Sequence, residues 1–417
     1  MTELDYAGIL KEDAGREFFN AYGLQIHDVT KMLLGKMWKN ELKITHDGYL
    51  KFYQLSNPVL KFDQILFDEG QDSSGSMLGI FLAQVKAIKT IVGDSDQAIY
   101  SFRHAVNSLD LVNFPQYGLT KSFRFSQTIA DKAMEVLALK QTYLGSKKPV
   151  QQITGLGTST GLATRCILAR GNLALLDRAL LEVRKDRNQK VCFEGGLSGY
   201  SYMSTEGGSL YDLLYLRDRR RDKVQSEFVR SFPDFAALQQ YARNTGDSET
   251  AMMGDIVQKY GSGLFDSMRG LKDCQVPRAE ADLIFSTTHK AKGQEYDQVE
   301  LCDDFTNGEK IGNITSGKNR RTGPGGVPKP IDLDQLAEEV NLLYVAVTRT
   351  KNGLSHPGFS IDGSRIAGLP SWKGMVASGQ VKGYSTSGKK IATRAGAGEA
   401  PPETGTNPAL QWFLSKP

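Results

Sequence analysis

Two short apolar runs frame this chain, Ile65-Leu66-Phe67 and residues 88–92, with a short helix expected between them. Runs of this length between polar boundaries suit buried strands of a parallel sheet, although periodicity alone does not separate them from buried helix. Upstream, amphipathic helices are expected around residues 14–22 and 28–38, followed by turns at Asp47-Gly48 and Asn57-Pro58. Downstream, Ile129, Ala133, Val136 and Leu137 keep helical spacing behind Ser126, a suitable N-cap. Residues 164–169 and 190–194 read as strands around a helix at 173–183, which is an α/β alternation. That rhythm is lost over 195–276, where the basic run from Arg217 to Lys223 suits a solvated helix face or a phosphate track. Two more apolar runs flank a polar loop within 282–305, and Gly-, Pro- and base-rich 307–330 reads as flexible loop. Residues 333–350 carry a strong helical pattern capped by Asp332 or Asp334, and the composition beyond about 363 suits a disordered tail.

The first two runs each end in acid, Asp68-Glu69 and Asp94. Ligands of open α/β sheets lie outside the carboxyl ends of the strands. One edge would therefore present Asp68, Glu69, Gln71, Asp72, Asp94 and Gln97 together. A carboxylate there can hold Mg²⁺ against phosphate oxygens, directly or through water. A neighbouring Glu can orient and deprotonate an attacking water, and a nearby Gln can sense a terminal phosphate. An isolated Asp-Glu pair is more often a helix cap, but here the pair belongs to a longer pattern. DEGQD followed by GDSDQAIYSFRHA resembles motifs II and III of the UvrD/Rep/PcrA helicases of superfamily 1, DExQD and GDxxQxIYxFRGA. Gly70 replaces the usual Ala and His104 the usual Gly, and neither change removes a functional group.

Other segments fall in register with that resemblance. LTKSFRFSQTIADKAMEVL resembles motif IV, which implies that Arg124 reaches the γ-phosphate and Phe123 stacks on adenine. ILARGNLALL resembles the family's Y-R-[ST]-N-A segment and makes Arg170 and Asn172 secondary candidates. THKAKGQEY resembles motif V: Gly293 would admit a ligand to the backbone, Glu295 would bind ribose, and His289 and Lys292 would face DNA. Gln294 replaces the common Leu, with no role evident. LAEEVNLLYVAVTRT resembles motif VI, which makes Arg349 an arginine finger, with Asn341 where Arg is frequent. Phe102 would stack on a base and Arg103 would link it to the phosphate site. Residues 45–58 and 231–261 resemble the F-box DNA helicase branch of the family.

The implied fold class is α/β: two RecA-like P-loop NTPase domains, the first incomplete, with a mostly helical insertion in the second. The implied boundaries are 1–61 (remnant of the first domain and its insertion), 62–125 (first domain), 126–200 with 277–360 (second domain), 201–276 (insertion) and 361–417 (tail). The resemblance implies ATP and Mg²⁺ as cofactors, with Asp68 the metal ligand, and single-stranded DNA and its junctions with duplex as partners. Translocation would be 3′ to 5′, in repair or recombination.

Composition adds bounds rather than identity. The 417 residues have 40% hydrophobic and 24% charged content, ordinary for a globular chain, and a net charge of +4. Four scattered cysteines argue against a zinc site or disulfide framework. Neither a signal peptide nor an apolar run of membrane-spanning length is evident, so the default is cytoplasmic or nuclear. A metal nuclease built on Asp68, Glu69 and Asp72 would leave the later motifs without use.

Motif I, the phosphate-cradling G-x-x-x-x-G-K-[ST] loop, is not found. GNITSGKN and GYSTSGKK come near but lack the final hydroxyl and a preceding apolar strand. The resemblance therefore implies an N-terminally truncated helicase whose activity alone is impaired. The alternative is a single-stranded DNA-binding remnant, or a subunit completed by a separate P-loop polypeptide.

Overall fold

The computed structural model describes residues 13–103, 105–158, 164–200, 209–245, 247–317, 331–356 and 359–360. The tail beyond residue 360 and His104 lie outside the described residues. The chain divides into two compact units between Gln116 and Tyr117.

In the first unit, α1 (Asp13–Trp38) is one continuous helix where the sequence suggested two. α2 (His46–Leu55) starts at Thr45, whose side chain accepts the Gly48 amide, and Phe52 meets Trp38 edge-on at 4.5 Å. β1 (Gln64–Phe67) and β2 (Ile88–Ile91) pair in parallel, Gln64 opposite Ile88 and Phe67 opposite Ile91. They are joined through α3 (Gly75–Leu82), which is capped by Ser74. The strands are where the sequence expects them, but they are not buried. Phe67 stacks on Phe81 of α3 at 5.1 Å, so one face is covered. Leu66 and Ile88 on the other face are each 69% exposed. A parallel strand is buried only when both faces carry a layer, and among the described residues one face does. A short helix, α4 (Ser108–Leu111), follows Asn107, whose side chain accepts the Leu109 amide.

The second unit opens with β3 (Lys121–Ser122), paired in parallel with β4 (Thr154–Gly155) on the far side of α5 (Gln127–Leu144). That pairing ties Phe123 and Arg124 to this unit, although the sequence reading placed them in the first domain. Ser126 holds the N-cap position of α5 without making the cap hydrogen bond. Next come β5 (Arg165–Ala169), α6 (Asn172–Lys185) and β6 (Val191–Phe193), as the alternating pattern implied.

Residues 209–273 are helical: α7 (Leu210–Arg217), α8 (Glu227–Arg230), α9 (Phe235–Thr245), α10 (Ser248–Tyr260) and α11 (Leu264–Asp273). The chain then returns to the sheet as β7 (Leu283–Thr287), α12 (Thr288–Ala291) and β8 (Tyr296–Leu301). Residues 307–317 are not loop, as the sequence suggested, but contain α13 (Gly308–Thr315). Asn307 accepts the Lys310 amide at 2.8 Å and Ile311 is buried, so a cap and one apolar anchor outweigh the glycines. The first four residues of GNITSGKN lie in this helix, and its Lys318 and Asn319 lie outside the described residues. α14 (Leu333–Val347) is capped by Asp332, and β9 (Thr350–His356) and β10 (Phe359–Ser360) close the described fold.

The sheet order is β10-β9-β8-β5-β7-β6, parallel throughout except for the β10–β9 pair. It therefore draws strands from both sides of the helical insertion. β5 and β7 lie at its buried centre, which explains their continuous apolar runs. One apolar core runs from Ile167 and Phe285 through Leu176 of α6 to Leu214, Leu238 and Val257 of the insertion.

Candidate functional site

The acidic groups of the first unit gather at the carboxyl ends of β1 and β2. Glu69 adopts a left-handed backbone (φ 52), uncommon for a side chain of this size. Its amide donates to Asp68 Oδ1 at 2.9 Å. Gln71 is buried and bridges the two strand ends. Its Nε2 donates to Glu69 Oε2, and its Oε1 accepts the Asp94 amide at 3.1 Å. Asp94 in turn accepts from the Asp96 amide at 2.9 Å and from Gln97 Nε2 at 3.0 Å. Five of the six groups expected on this edge, Asp68, Glu69, Gln71, Asp94 and Gln97, thus form one connected chain of hydrogen bonds.

Asp72 lies in the same turn. Burial raises the Tyr100 phenol above its ordinary value, with Asp72 and Glu69 adding to the rise and Arg103 opposing it. The Tyr100 ring lies 6.0 Å from that of Phe102, in the exposed turn that carries Arg103. Phe102 is 66% exposed.

The glycines here have steric causes. A Cβ on Gly70 would lie 2.5 Å from Ile91 Cγ2, so the Ala common at this position would require Ile91 to move. A Cβ on Gly93 would lie 2.4 Å from Gln71 Oε1.

In the second unit, Lys121, Ser122, Phe123, Arg124, Glu295 and Lys351 line an open pocket of about 630 Å³. Phe123 is 76% exposed, as a stacking platform needs to be. Glu295 lies between two cations. Arg124 Nε is 3.1 Å from its Oε2, and Lys351 Nζ is 2.8 Å from its Oε1. The Lys351 hydrogen bond is the main cause that holds the Glu295 carboxyl below its ordinary range, with Arg124 adding to it. Lys121 and Lys351 were missed in the sequence. Lys351 had a readable signal, a base two residues past Arg349, whereas Lys121 joins the site only through the β3–β4 pairing.

Other candidates sit elsewhere. Arg349 is 2% exposed; it donates to the carbonyls of Val345 (3.0 Å) and Gln294 (3.4 Å) and to Thr348 Oγ1 (3.3 Å). Arg124, not Arg349, is the arginine that lines the pocket in this conformation. Arg170 is engaged by Glu339, with Nε 3.0 Å from Oε2, and that pairing raises its pKa. Its neighbour Asn172 starts α6. Gly293 is required for its backbone, φ 81, while a Cβ there would meet open space. His289 lies in α12 and Lys292 at its C-cap. Asn341, where Arg is frequent, is buried and accepts from Lys140. Gln294, without evident role in the sequence, accepts from Arg278 at 2.9 Å. In the basic run, Arg221 is engaged by the carbonyls of Arg230 and Pro233.

A Mg²⁺ ion fits the chemistry of the first unit. Asp68 is exposed and supplies oxygen, and this ion typically takes one or two carboxylates and completes its shell with water and phosphate. Among the described residues no group of three or more His, Cys, Asp or Glu side chains that could hold a metal ion is present. Among them, too, no helix is long and apolar enough to cross a membrane.

A family model described as the UvrD-like helicase C-terminal domain matches residues 39–355. F-box DNA helicase 1 of Gallus gallus is 32% identical over 333 residues, 76% of this chain and 31% of that protein. F-box DNA helicase protein 1 of Schizosaccharomyces pombe is 27% identical over 337 residues, 74% of this chain and 35% of that protein. The ATP-dependent DNA helicase srs2 of the same yeast is 30% identical over 152 residues, 30% of this chain and 17% of that protein. The chain thus spans about a third of the length of the two F-box DNA helicases it matches. The family match takes in the acidic edge, the insertion and the cation pocket alike, and the chain belongs to the UvrD-like superfamily 1 DNA helicases, in their F-box DNA helicase branch.

Proposed function

We propose that this chain is the motor portion of an ATP-dependent DNA translocase that moves 3′ to 5′ on single-stranded DNA and opens duplex junctions, in repair or recombination. The observation that carries the proposal is the pocket lined by Lys121, Arg124, Lys351 and an exposed Phe123, in which Arg124 and Lys351 hold Glu295. Three cations suit a polyphosphate, the ring suits a base, and the carboxylate suits ribose hydroxyls. Glu69 is the general base for water, Gln97 positions the terminal phosphate, and Asp68 would hold Mg²⁺. The metal, when bound, neutralises charge on phosphate oxygens. Arg124 stabilises the transferring phosphoryl group. Arg349 becomes a finger only on leaving the Val345 and Gln294 carbonyls. Phe102 stacks on a DNA base, with Arg103, His289 and Lys292 along the strand. Arg170 supports the site through Glu339 rather than by touching nucleotide.

The uncovered face of β1–β2, with Leu66 and Ile88 exposed, favours a second reading. In it the chain binds DNA but hydrolyses ATP only when a P-loop-bearing segment or partner covers that face. ATP hydrolysis by the purified chain, with and without single-stranded DNA and beside Glu69→Gln, separates the two. DNA-stimulated turnover that Glu69→Gln abolishes supports the first. Salt-sensitive DNA binding without turnover supports the second.

A further inference from the structure

The two ends of the helical insertion grip the same loop. The chain leaves the sheet through Glu194 and then Gly195 and Gly196, both at positive φ (76 and 77). It returns through the turn Arg278–Glu280 ahead of β7. Between β7 and β8 lies the loop that carries Gln294 and Glu295. On the entry side, Lys290 of α12 donates to the Gly199 carbonyl at 2.7 Å, and its ammonium lies 3.7 Å from the centre of the Tyr200 ring. On the exit side, one guanidinium serves several partners. Arg278 Nε is 3.1 Å from Glu194 Oε1, its Nη1 donates to Gln294 Oε1 at 2.9 Å, and its carbon lies 5.5 Å over the Tyr296 ring. Tyr296 closes the circuit by donating to Glu194 Oε1 at 3.0 Å.

We propose that Arg278 and Gln294 are positioning residues that lock the ends of the insertion to the loop carrying Glu295, so that insertion and loop hold one conformation together. The part of this that concerns nucleotide rests on the pocket reading above. An isolated half-exposed ion pair would be worth little. Here the planar fork of Arg holds Glu194 and Gln294 at once, which a Lys does not reproduce. Gln294 contributes twice, since its side chain accepts from Arg278 and its main-chain oxygen accepts from Arg349. The next residue, Glu295, holds Arg124 and Lys351. A change at the junction of insertion and sheet therefore reaches the pocket through two consecutive residues. The insertion has the leverage to use this link, because its helices share the core of α6 and Lys259 of α10 pairs with Asp177 at 2.8 Å.

The test is amide hydrogen exchange on the full chain, with ATP affinity measured on the same proteins. Arg278→Met keeps the stem without the fork, and Gln294→Met keeps the volume without the acceptor. Each should speed exchange at residues 293–296 by about tenfold while leaving α5 unchanged. The double variant should be no faster than Arg278→Met, because Gln294→Met removes only a contact that Arg278→Met already removes, and Arg278→Lys should fall between wild type and Arg278→Met. Unchanged exchange at 293–296 in Arg278→Met, or effects that simply add in the double variant, would overturn the proposal. ATP binding reports on the pocket separately. A wild-type chain that binds no ATP refutes the pocket reading, and the exchange result still decides the link. If it binds, the single variants should weaken affinity by about fivefold, again without adding.

Discussion

Gly93 offers a direct test of how the acidic edge is held. It has no left-handed backbone to explain it, so a substitution there acts through space alone. In Gly93→Ala the new Cβ would meet Gln71 Oε1 at 2.4 Å, the Gly70 amide nitrogen at 3.0 Å and Leu109 Cδ1 at 3.2 Å. The first of these is the tip of a flexible side chain, which ordinarily would swing away. This one is buried and joins Glu69 to the Asp94 amide, so moving it breaks both bonds. Backbone on one side and Leu109 on the other block a small adjustment. Gly93 itself is exposed and Asp94 half-buried, so the overpacking and the loss of the hydrogen bonds of buried Gln71 should together cost about 1–3 kcal/mol. Urea unfolding of the full chain, with amide exchange followed at residues 64–72 and 88–97, measures it. Gly35→Ala is the control. Its Cβ meets nothing within 4 Å and it lies in the last turn of α1, so replacing this helical glycine should stabilise α1 by at most about 0.5–1 kcal/mol. A Gly93→Ala chain within about 0.5 kcal/mol of wild type, the range of an ordinary surface change, would refute the steric argument.

Asp332→Ala removes the cap that accepts the Gln335 amide at 2.9 Å and should destabilise α14 by about 1 kcal/mol, read from urea midpoints. All four cysteines are free, and burial is the first cause that raises the thiol pKa of each. A native thiol-reagent assay at neutral pH should therefore find Cys166, Cys274 and Cys302 slow and partly exposed Cys192 the fastest, with all four reacting on unfolding. Glu295 has a folded carboxyl pKa below its ordinary 4.5. Its tethers are thus fully present above pH 4.5 and are lost as pH falls through the lower folded value. Carboxyl-labelled NMR titration should place its midpoint below 4.5, and Lys351→Met should move it back further than Arg124→Met does.

The apolar pattern was enough to find the central strands, α5, α6 and α14, because β5 and β7 are buried on both faces, α6 buries one face, and long consecutive stretches of α5 and α14 are buried. It overestimated the burial of β1 and β2. A short apolar run says that a strand prefers cover, not that both faces receive it, and Leu66 and Ile88 remain exposed. It missed α13 because glycine content outweighed one cap and one anchor, Asn307 and Ile311. Among site residues, local motifs were legible because Asp68, Glu69, Gln71, Asp94 and Gln97 lie on two adjacent strand ends. Lys121 was not, since it reaches the pocket through pairing with a strand beyond an 18-residue helix. The role of Gln294 was equally hidden, because its partner Arg278 lies on the far side of β7 and α12. Arg349 shows a further limit: its place in a motif is readable, but its burial under its own helix end is not.

Calorimetric titration of ATP with Mg²⁺ into the full chain shows whether the pocket of Lys121, Phe123, Arg124, Glu295 and Lys351 reads nucleotide. One binding event per chain is expected, weakened by Arg124→Met by at least about tenfold, the loss expected for a charged hydrogen bond to phosphate. Equal affinity in wild type and Arg124→Met, or no binding by either, would contradict that reading of the pocket.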